Sequence, residues 1–427
     1  MAFESPFSAD HADRLTVLEV NNDGSKLLTA SVDHRVSVYD IDRLTAQRKQ
    51  LDVWTAHDAD IRDAKWLHPS TGTNFVTIGS DLQMRVWSQD TYQAPMSGRR
   101  FRRIATIKCD QLVPFVSVDT KTIGSSTYIV VIDRQGLLSL YEPTNPDEYN
   151  DWVLIDQFNV SSPTPGRSDH TSFKVQFDPN TFPLPYQASL SDDQDQLAIG
   201  ISAMNELKLY RSTGDSDIIN SQTSSQQHAH ISKDASHRLY LYEVLRLQPH
   251  LSQQSTSAGS LLRDIAFCPG NFRGTDLLAA ASINGSVAVY EISVQSEASP
   301  TSQSSATIPK QGQRSGIQAH QSNLTSALHP SPASSNAIQK AQMRANHPFP
   351  YTHAASLVSL LQHAHIDAWS VRWDPSGQVL LSSGTDGTVK MWKRAVSQSG
   401  FEGFELYAEQ AGEEDSDEGS TDEDRDV

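Results

Sequence analysis

The chain is patterned as short apolar runs separated by turn-forming residues. Between His57 and Trp87, runs with spaced apolar positions are broken by His-Pro-Ser-Thr-Gly at 68–72 and by Asp81. Short runs bounded by Gly, Pro, Asp and Ser are typical of antiparallel strands. This stretch therefore predicts three consecutive strands of one antiparallel sheet.

The same pattern recurs along the chain, and a further strand-like run follows each set of three. We count six such units, which begin near residues 11, 57, 112, 173, 261 and 363. A repeated four-stranded unit is the sequence signature of a β-propeller blade. The predicted fold class is therefore all-β, a six-bladed propeller over residues 11–408.

Polar residues recur at fixed positions in these units. In the second unit, His57 precedes the first strand, Thr77 lies on the second, Asp81 marks the turn and Trp87 ends the third. This spacing resembles a WD repeat, in which such residues form one hydrogen-bonded chain that holds the blade together. The equivalent residues are His11, Thr29, Asp33 and Tyr39 in the first unit, and His365, Ser382, Asp386 and Trp392 in the sixth.

These residues allow a second functional interpretation and, in the sixth unit, a second choice of histidine. A Thr-His-Asp set also suggests a hydrolase, but a buried imidazole and a buried indole both need hydrogen-bond partners, which favours the structural role. In the sixth unit, His363 is a second candidate for the histidine. The third unit is degenerate, since it has no histidine at the usual distance and Gln135 stands at the aspartate position.

Several segments do not fit the blade pattern. Residues 1–10 are expected to be a flexible N-terminus. The segments 211–236 and 293–346 are polar, and 409–427 is strongly acidic. Such compositions bury too little apolar surface to offset chain entropy, so we expect two disordered insertions and a disordered acidic tail. A mean hydropathy of −0.46 agrees with this division.

Charge and cysteine content narrow the function classes. A net charge of −17 argues against direct binding of nucleic acid or of anionic lipid. The two cysteines are too few for a disulfide framework or a thiolate metal site, so a reducing compartment is expected. The N-terminus shows no secretory signal, and no apolar run is long enough to span a membrane. The histidines of the polar insertion are expected to be surface residues rather than metal ligands: His228, His230 and His237.

The strand count also predicts an open ring. Each unit has its own fourth strand, and residues 1–14 contain no strand-like run to complete another blade. An uncovered edge between the sixth and first units would need a partner that adds strands. The predicted contact residues are Leu15, Val17, Val20 and Trp369.

Four stretches carry a more specific resemblance: residues 54–61, 97–100, 368–373 and 384–387. With them, the chain resembles the SEH-one family, the WD-repeat nucleoporins of the Y-shaped nuclear pore scaffold that are homologues of the secretory-coat Sec-thirteen propeller. The resemblance covers residues 10–408 and is of the fungal type with long insertions. The insertions and the acidic tail depart from it.

The resemblance implies a scaffold role without cofactor, metal or catalytic residues. Family members form an open six-bladed propeller, and an α-helical-stack nucleoporin inserts a seventh blade. The implied setting is the Y complex with its other subunits at the nuclear pore and nuclear envelope, supporting mRNA export, protein transport and pore assembly. A second implied role is in the SEA/GATOR complex at the vacuolar or lysosomal membrane, which regulates TOR signalling. Membrane contact would be through partners.

Two alternatives remain open from the sequence. One is the propeller of the secretory-vesicle outer coat, with the same fold and partner mode. The other is a histone- or peptide-reading propeller, which would need an anionic or aromatic central pocket. An enzyme is disfavoured, because the sequence has no phosphate-binding glycine motif, no HExxH and no Gly-x-Ser-x-Gly elbow.

Overall fold

A computed structural model shows six four-stranded antiparallel sheets arranged as the blades of a propeller. It describes residues 9–45, 47–109, 111–180, 196–213, 239–249, 261–270, 275–296, 351–397 and 400–411. Each sheet takes its four strands from one continuous part of the sequence. The all-β, six-bladed propeller predicted from the sequence is therefore confirmed.

The strands follow one another in the order predicted. Blades one and two contain β1 (Leu15–Val20), β2 (Lys26–Ser31), β3 (Arg35–Ile41), β4 (Arg48–Thr55), β5 (Ile61–Trp66), β6 (Asn74–Gly79), β7 (Gln83–Gln89) and β8 (Phe101–Lys108). Blades three and four contain β9 (Phe115–Ile123), β10 (Ser126–Asp133), β11 (Leu137–Asn145), β12 (Glu148–Asn159), β13 (Phe173–Phe177), β14 (Ala198–Ala203), β15 (Glu206–Thr213) and β16 (Tyr240–Leu247). Blades five and six contain β17 (Leu262–Phe267), β18 (Asp276–Ser282), β19 (Val287–Ser296), β20 (Tyr351–Leu361), β21 (Ala368–Trp373), β22 (Val379–Gly384), β23 (Thr388–Ser397) and β24 (Gly400–Ala411).

A β-bulge at the same place in every blade defines equivalent positions. It interrupts the pairing of the third and fourth strands immediately before an aromatic residue of the third strand. These aromatic residues are Tyr39, Trp87, Tyr141, Tyr210, Tyr290 and Trp392. Since bulges re-aim side chains and change the local twist, the shared bulge gives the six outer strands a common geometry.

The hydrophobic core lies at the junctions between blades. One cluster of buried apolar side chains fills each junction from blades one and two to blades five and six. The innermost strands β1, β5, β9, β13, β17 and β21 also pack on one another in that order. Each blade is therefore stabilised mainly by its neighbours, as in other repeat architectures.

The predicted non-blade segments begin later than their sequence composition suggests. The strand β15 continues to Thr213, β19 to Ser296 and β24 to Ala411, so the first residues of all three segments pair within sheets. The rest of both polar insertions, the three histidines named above and the acidic tail from residue 412 lie outside the described residues, as do residues 1–8.

Neither a metal site nor a membrane helix is found in the part of the chain that the structure describes. No group of three His, Cys, Asp or Glu side chains there is arranged to hold a metal ion. No helix among those residues is long and apolar enough to cross a bilayer.

Blade hydrogen bonds and a candidate partner-binding edge

The polar residues of blade two form one connected chain of hydrogen bonds. The Nδ1 atom of His57 lies 2.9 Å from Asp81 Oδ1, and Nε2 lies 2.7 Å from Thr77 Oγ1. The indole Nε1 of Trp87 donates to the same Thr77 Oγ1 at 2.9 Å. Because an ionised carboxylate only accepts, His57 Nδ1 carries the donated proton. Burial raises the pKa of Asp81, but the His57 hydrogen bond and the charges around it hold the net pKa below its ordinary value.

Blade one repeats the histidine bonds of this arrangement, and blade six repeats all of it. The Nδ1 atom of His11 lies 3.0 Å from Asp33 Oδ2, and its Nε2 lies 2.9 Å from Thr29 Oγ1. Tyr39 fills the position that Trp87 fills in blade two. In blade six, His365 rather than His363 is the bonded histidine: it lies 3.0 Å from Asp386 and 2.7 Å from Ser382 Oγ, which also accepts from Trp392 Nε1 at 2.9 Å.

Blade three closes its turn with a different carboxylate. Gln135 does stand in the turn, immediately before Gly136, whose φ is 83°. The acceptor, however, is Asp133 two residues earlier, whose Oδ1 accepts from the backbone amides of Gln135 at 2.8 Å and Leu137 at 2.9 Å. Burial raises the pKa of Asp133. Reading the turn by position alone misses this aspartate, because the acceptor sits on the strand rather than in the loop.

Carboxylates on the inner strands tie neighbouring blades together. Asp63 on β5 accepts from Lys174 Nζ at 2.7 Å, from Ser117 Oγ at 3.2 Å and from the Val118 amide at 3.2 Å. It thereby links blades two, three and four. Burial raises the pKa of Asp63, but the charges of Lys174 and Lys65 and these hydrogen bonds hold the net pKa below its ordinary value.

Blades five and six are joined in the same way. Asp264 on β17 accepts from Arg372 at 2.6 Å, from Ser370 Oγ at 2.9 Å and from the Val371 amide at 3.1 Å. Between blades three and four, Asp119 accepts from the Phe177 amide at 2.6 Å, and burial raises its pKa to about 6. The sequence does not indicate the role of these aspartates, because each lies on a strand that also carries other polar residues.

Blade six exposes a face that the preceding blades bury. In blade two the four residues that face blade three are fully buried: Val76, Ile78, Met84 and Val86. The strand registers place their equivalents in blade six at Leu381, Ser383, Val389 and Met391. None of these four is buried, and Val389 is exposed. The face that would pack on a following blade is therefore left half open to solvent.

Blade one exposes the complementary face. Leu18 and Val20 on β1 are 59% and 47% exposed, whereas their equivalents in blade two, Ala64 and Trp66, are buried in the junction with blade one. Leu15 on the same strand is also exposed. Large apolar residues on this strand thus lie in solvent where the other blades bury them.

Of the four predicted contact residues, the structure exposes three and buries one. Leu15, Val20 and Trp369 are exposed, but Val17 is only 6% exposed and packs in the core between blades one and two. From Val17 onward, past the bulge at the start of β1, side chains alternate regularly, so Val17 and Val20 point to opposite faces. The residue that sequence analysis missed is Leu18, which the same alternation would have identified.

Trp369 stands at the bulge of β21 and is 48% exposed. The guanidinium of Arg263, from blade five, lies 4.3 Å from its ring centroid, a cation–π geometry. Arg263 is held in turn by Asp367 at 2.9 Å. One side of the indole is therefore covered by the preceding blade, and the other is available.

The junction between blades six and one differs from the other five. Among the described residues, no buried apolar cluster spans it, and β21 makes no packing with β1 comparable to that between the other inner strands. The exposed faces of blades six and one border this junction. They form what we call the open edge, defined by Leu15, Leu18, Val20, Leu381, Val389 and Met391.

Comparison with known proteins agrees with this architecture. The family described as WD domain, G-beta repeat matches residues 356–393, which lie in β20 to β23. The chain is 23% identical to nucleoporin SEH1 of Saccharomyces cerevisiae, over 92% of this chain and 96% of that protein. It is also 23% identical to nucleoporin SEH1 of Chaetomium thermophilum, over 92% of both proteins.

A more distant similarity is local. The protein transport protein SEC13-2 of Candida glabrata is 26% identical over 98 residues, which are 22% of this chain and 32% of that protein. The Seh1 similarity, by contrast, covers about nine tenths of this chain. The chain is therefore a six-bladed β-propeller with a WD repeat, and it is similar to the Seh1 nucleoporins along nearly its whole length.

Proposed function

We propose that this chain is a scaffold subunit of the nuclear pore, within the Y-shaped complex at the nuclear envelope. In this role it supports mRNA export, protein transport and pore assembly. It binds an α-helical-stack nucleoporin that inserts a seventh blade at the open edge, and it reaches the membrane only through such partners. The observation that carries the proposal is the pair of apolar faces on blades six and one, next to the one junction without an apolar cluster among the described residues.

The chemistry of the open edge suits an inserted sheet. Leu18 and Val20 face it from blade one, and Leu381, Val389 and Met391 face it from blade six. A sheet with apolar side chains on both faces would bury both sets at once. Covering one large aliphatic side chain is worth up to about 1.5–3 kcal/mol, so these contacts would contribute favourably to the binding of an inserted sheet.

A role in the SEA/GATOR complex at the vacuolar or lysosomal membrane, regulating TOR signalling, is a second part of the proposal. It rests on the family resemblance stated above. An edge of this size accommodates one inserted blade at a time. The two assemblies would therefore use separate copies of this chain.

The alternatives receive less support. The similarity to the Sec13 protein covers about a fifth of the chain, which gives little weight to the secretory-coat propeller. A peptide reader needs free anionic or aromatic groups in the central channel, but Asp63 and Asp264 on the inner strands are bonded to neighbouring blades and Glu19 pairs with Lys65 at 2.6 Å.

The test is co-purification of this chain with a helical-stack nucleoporin, full-length or lacking its N-terminal strand segment. A double substitution, Leu18→Glu with Val20→Glu, places two charges where the inserted sheet would pack. We expect it to weaken binding of the full-length partner by at least about tenfold, because buried unpaired carboxylates are strongly unfavourable. Deleting the partner's strand segment should have the same effect.

The matched control is Val153→Glu with Leu357→Glu. These residues are as exposed as the edge pair but lie on the outer strands of blades three and five. The control should bind normally, and all variants should keep the wild-type thermal unfolding profile. Equal binding by the edge and control variants would show that the partner does not use the open edge.

A further inference from the structure

The loop between β7 and β8 of blade two is long, exposed and held in one conformation by blade one. Asp52 on β4 is fully buried, and its two carboxylate oxygens accept from the amides of Gly98 at 2.7 Å and Arg100 at 2.8 Å. The Met96 amide donates to the Leu51 carbonyl at 2.9 Å. A buried carboxylate that binds two loop amides fixes the backbone strongly, because charge-assisted hydrogen bonds are the stronger kind.

This fixed loop presents side chains that are common at interface centres. Tyr92 is 97% exposed, and Met96 is also exposed. The guanidinium groups of Arg99, Arg102 and Arg103 follow within a few residues, all exposed, and none has an ion pair among the described residues. Tyr, Met and Arg are enriched at protein interfaces. A group of unpaired cations is notable in a chain whose net charge is −17.

Next to the arginines lies a strand edge. Within the described residues, β8 pairs only with β7, so its outer backbone groups are available to an extended peptide. Main-chain pairing along such an edge gives affinity, and side chains beside it give specificity. We propose that the surface formed by residues 90–103, the blade-two loop surface, docks an extended acidic segment of a partner protein along the start of β8.

The acidic tail of this chain is a poor candidate for that segment. The strand β24 ends at Ala411, opposite Thr388 and beside the tight turn of blade six. In blade two the equivalent turn joins β6 to β7 and lies at the start of β7. The blade-two loop begins at the other end of β7, where Gln89 pairs with Phe101. The tail therefore leaves from the opposite side of the propeller.

Larger polyanions are also disfavoured. At physiological salt, charges further apart than about 8 Å are largely screened from one another. A short peptide bound at the loop is therefore attracted mainly by the nearby arginines. A nucleic acid or an anionic membrane would extend over more of the acidic protein and would be repelled by it. The proposal therefore commits to an acidic peptide segment.

The test uses the full chain and a fluorescein-labelled peptide of about ten residues that alternates Glu and Val, long enough to follow the edge of β8. Binding is measured by fluorescence anisotropy over a range of salt concentrations. We expect salt-sensitive binding that the double substitution Arg102→Glu with Arg103→Glu weakens by at least about tenfold. A peptide alternating Lys and Val should not bind.

The control variant is Arg35→Glu with Arg167→Glu, which changes the net charge equally at exposed positions of other blades. It should bind the acidic peptide as the unmodified chain does. A second variant, Asp52→Asn, keeps every arginine but removes one amide acceptor; it should weaken binding and speed hydrogen exchange at Gly98 and Arg100.

Three results would overturn the proposal. One is equal loss of binding in the control variant, which would indicate a general charge effect. Another is a requirement to delete residues 412–427 before the peptide binds, which would make the chain's own tail the occupant. The third is binding to phosphatidylserine vesicles through Arg102 and Arg103 without binding to the peptide.

Discussion

Replacing Asp63 with alanine should lower the free energy of unfolding by about 3–5 kcal/mol, the range found when one partner of a buried ion pair is removed. Asp63 is buried and accepts hydrogen bonds from two residues of blade three and from Lys174 of blade four. Without it, the ammonium group of Lys174 and the Val118 amide lose their shared acceptor. Urea unfolding followed by tryptophan fluorescence measures the change.

The matched control is Asp60→Ala, at the residue immediately before the same strand. Asp60 is partly exposed and pairs only at 3.5–3.9 Å with Arg62 and His34, so its loss should cost less than about 1 kcal/mol. If the two variants were equally stable, the hydrogen bonds and ion pair of Asp63 would not contribute to the stability of the blade junctions.

The stabilisation that Asp63 contributes to the folded protein should also depend on pH. The folded-state pKa of this carboxyl lies below its ordinary value of 3.8, so its stabilisation is present above that value and is lost as the pH falls through the folded pKa. The difference in unfolding free energy between the unmodified chain and Asp63→Ala should therefore be constant near neutral pH. It should shrink only at pH values below about 4.

Replacing Thr77 with valine should cost about 2–6 kcal/mol, because two buried groups lose their partner at about 1–3 kcal/mol each. Valine has the shape of threonine, so the substitution leaves no cavity. It removes the hydroxyl that accepts from Trp87 Nε1 and contacts His57 Nε2. The measurement is again the free energy of unfolding, with the NMR resonance of the Trp87 indole N–H as a local probe.

The control for this prediction is supplied by the chain itself. Blade six has Ser382 at the equivalent position, where it makes the same two hydrogen bonds at 2.7 and 2.9 Å. Thr77→Ser keeps the hydroxyl and should therefore lose less than about 1.5 kcal/mol, as for a single buried methyl group. A serine variant as unstable as the valine variant would point to packing rather than hydrogen bonding.

The fold and the blade hydrogen bonds were predictable because their signals are local in sequence. His57 and Asp81 are 24 residues apart and belong to one blade, so spacing within the repeat is enough to relate them. The interblade ties were not predictable in this way. Asp63 and Lys174 are 111 residues apart, and only the packing of successive blades around the propeller brings them together.

The open ring remains a prediction of the strand count, and one of its proposed contact residues, Val17, is buried. Counting strands suggested which junction would differ from the others. Naming the contact residues also requires knowing which face of the strand each side chain occupies. Val17 and Leu18 are both large and apolar, and only the pairing of β1 with β2 shows that the first is core and the second is exposed. The arrangement that fixes the blade-two loop was not anticipated, because Asp52 and Gly98 meet across two blades.

The continuous order of strands within each blade has a consequence for biosynthesis. Every sheet is complete once its own four consecutive strands have been made, and its main apolar face then meets the blade completed just before it. Since each blade is stabilised mainly by its neighbours, blade one becomes stable once blade two has been made, and each later blade can then dock on the last as it leaves the ribosome. This order limits the apolar surface that is uncovered at each stage, which reduces aggregation of the nascent chain.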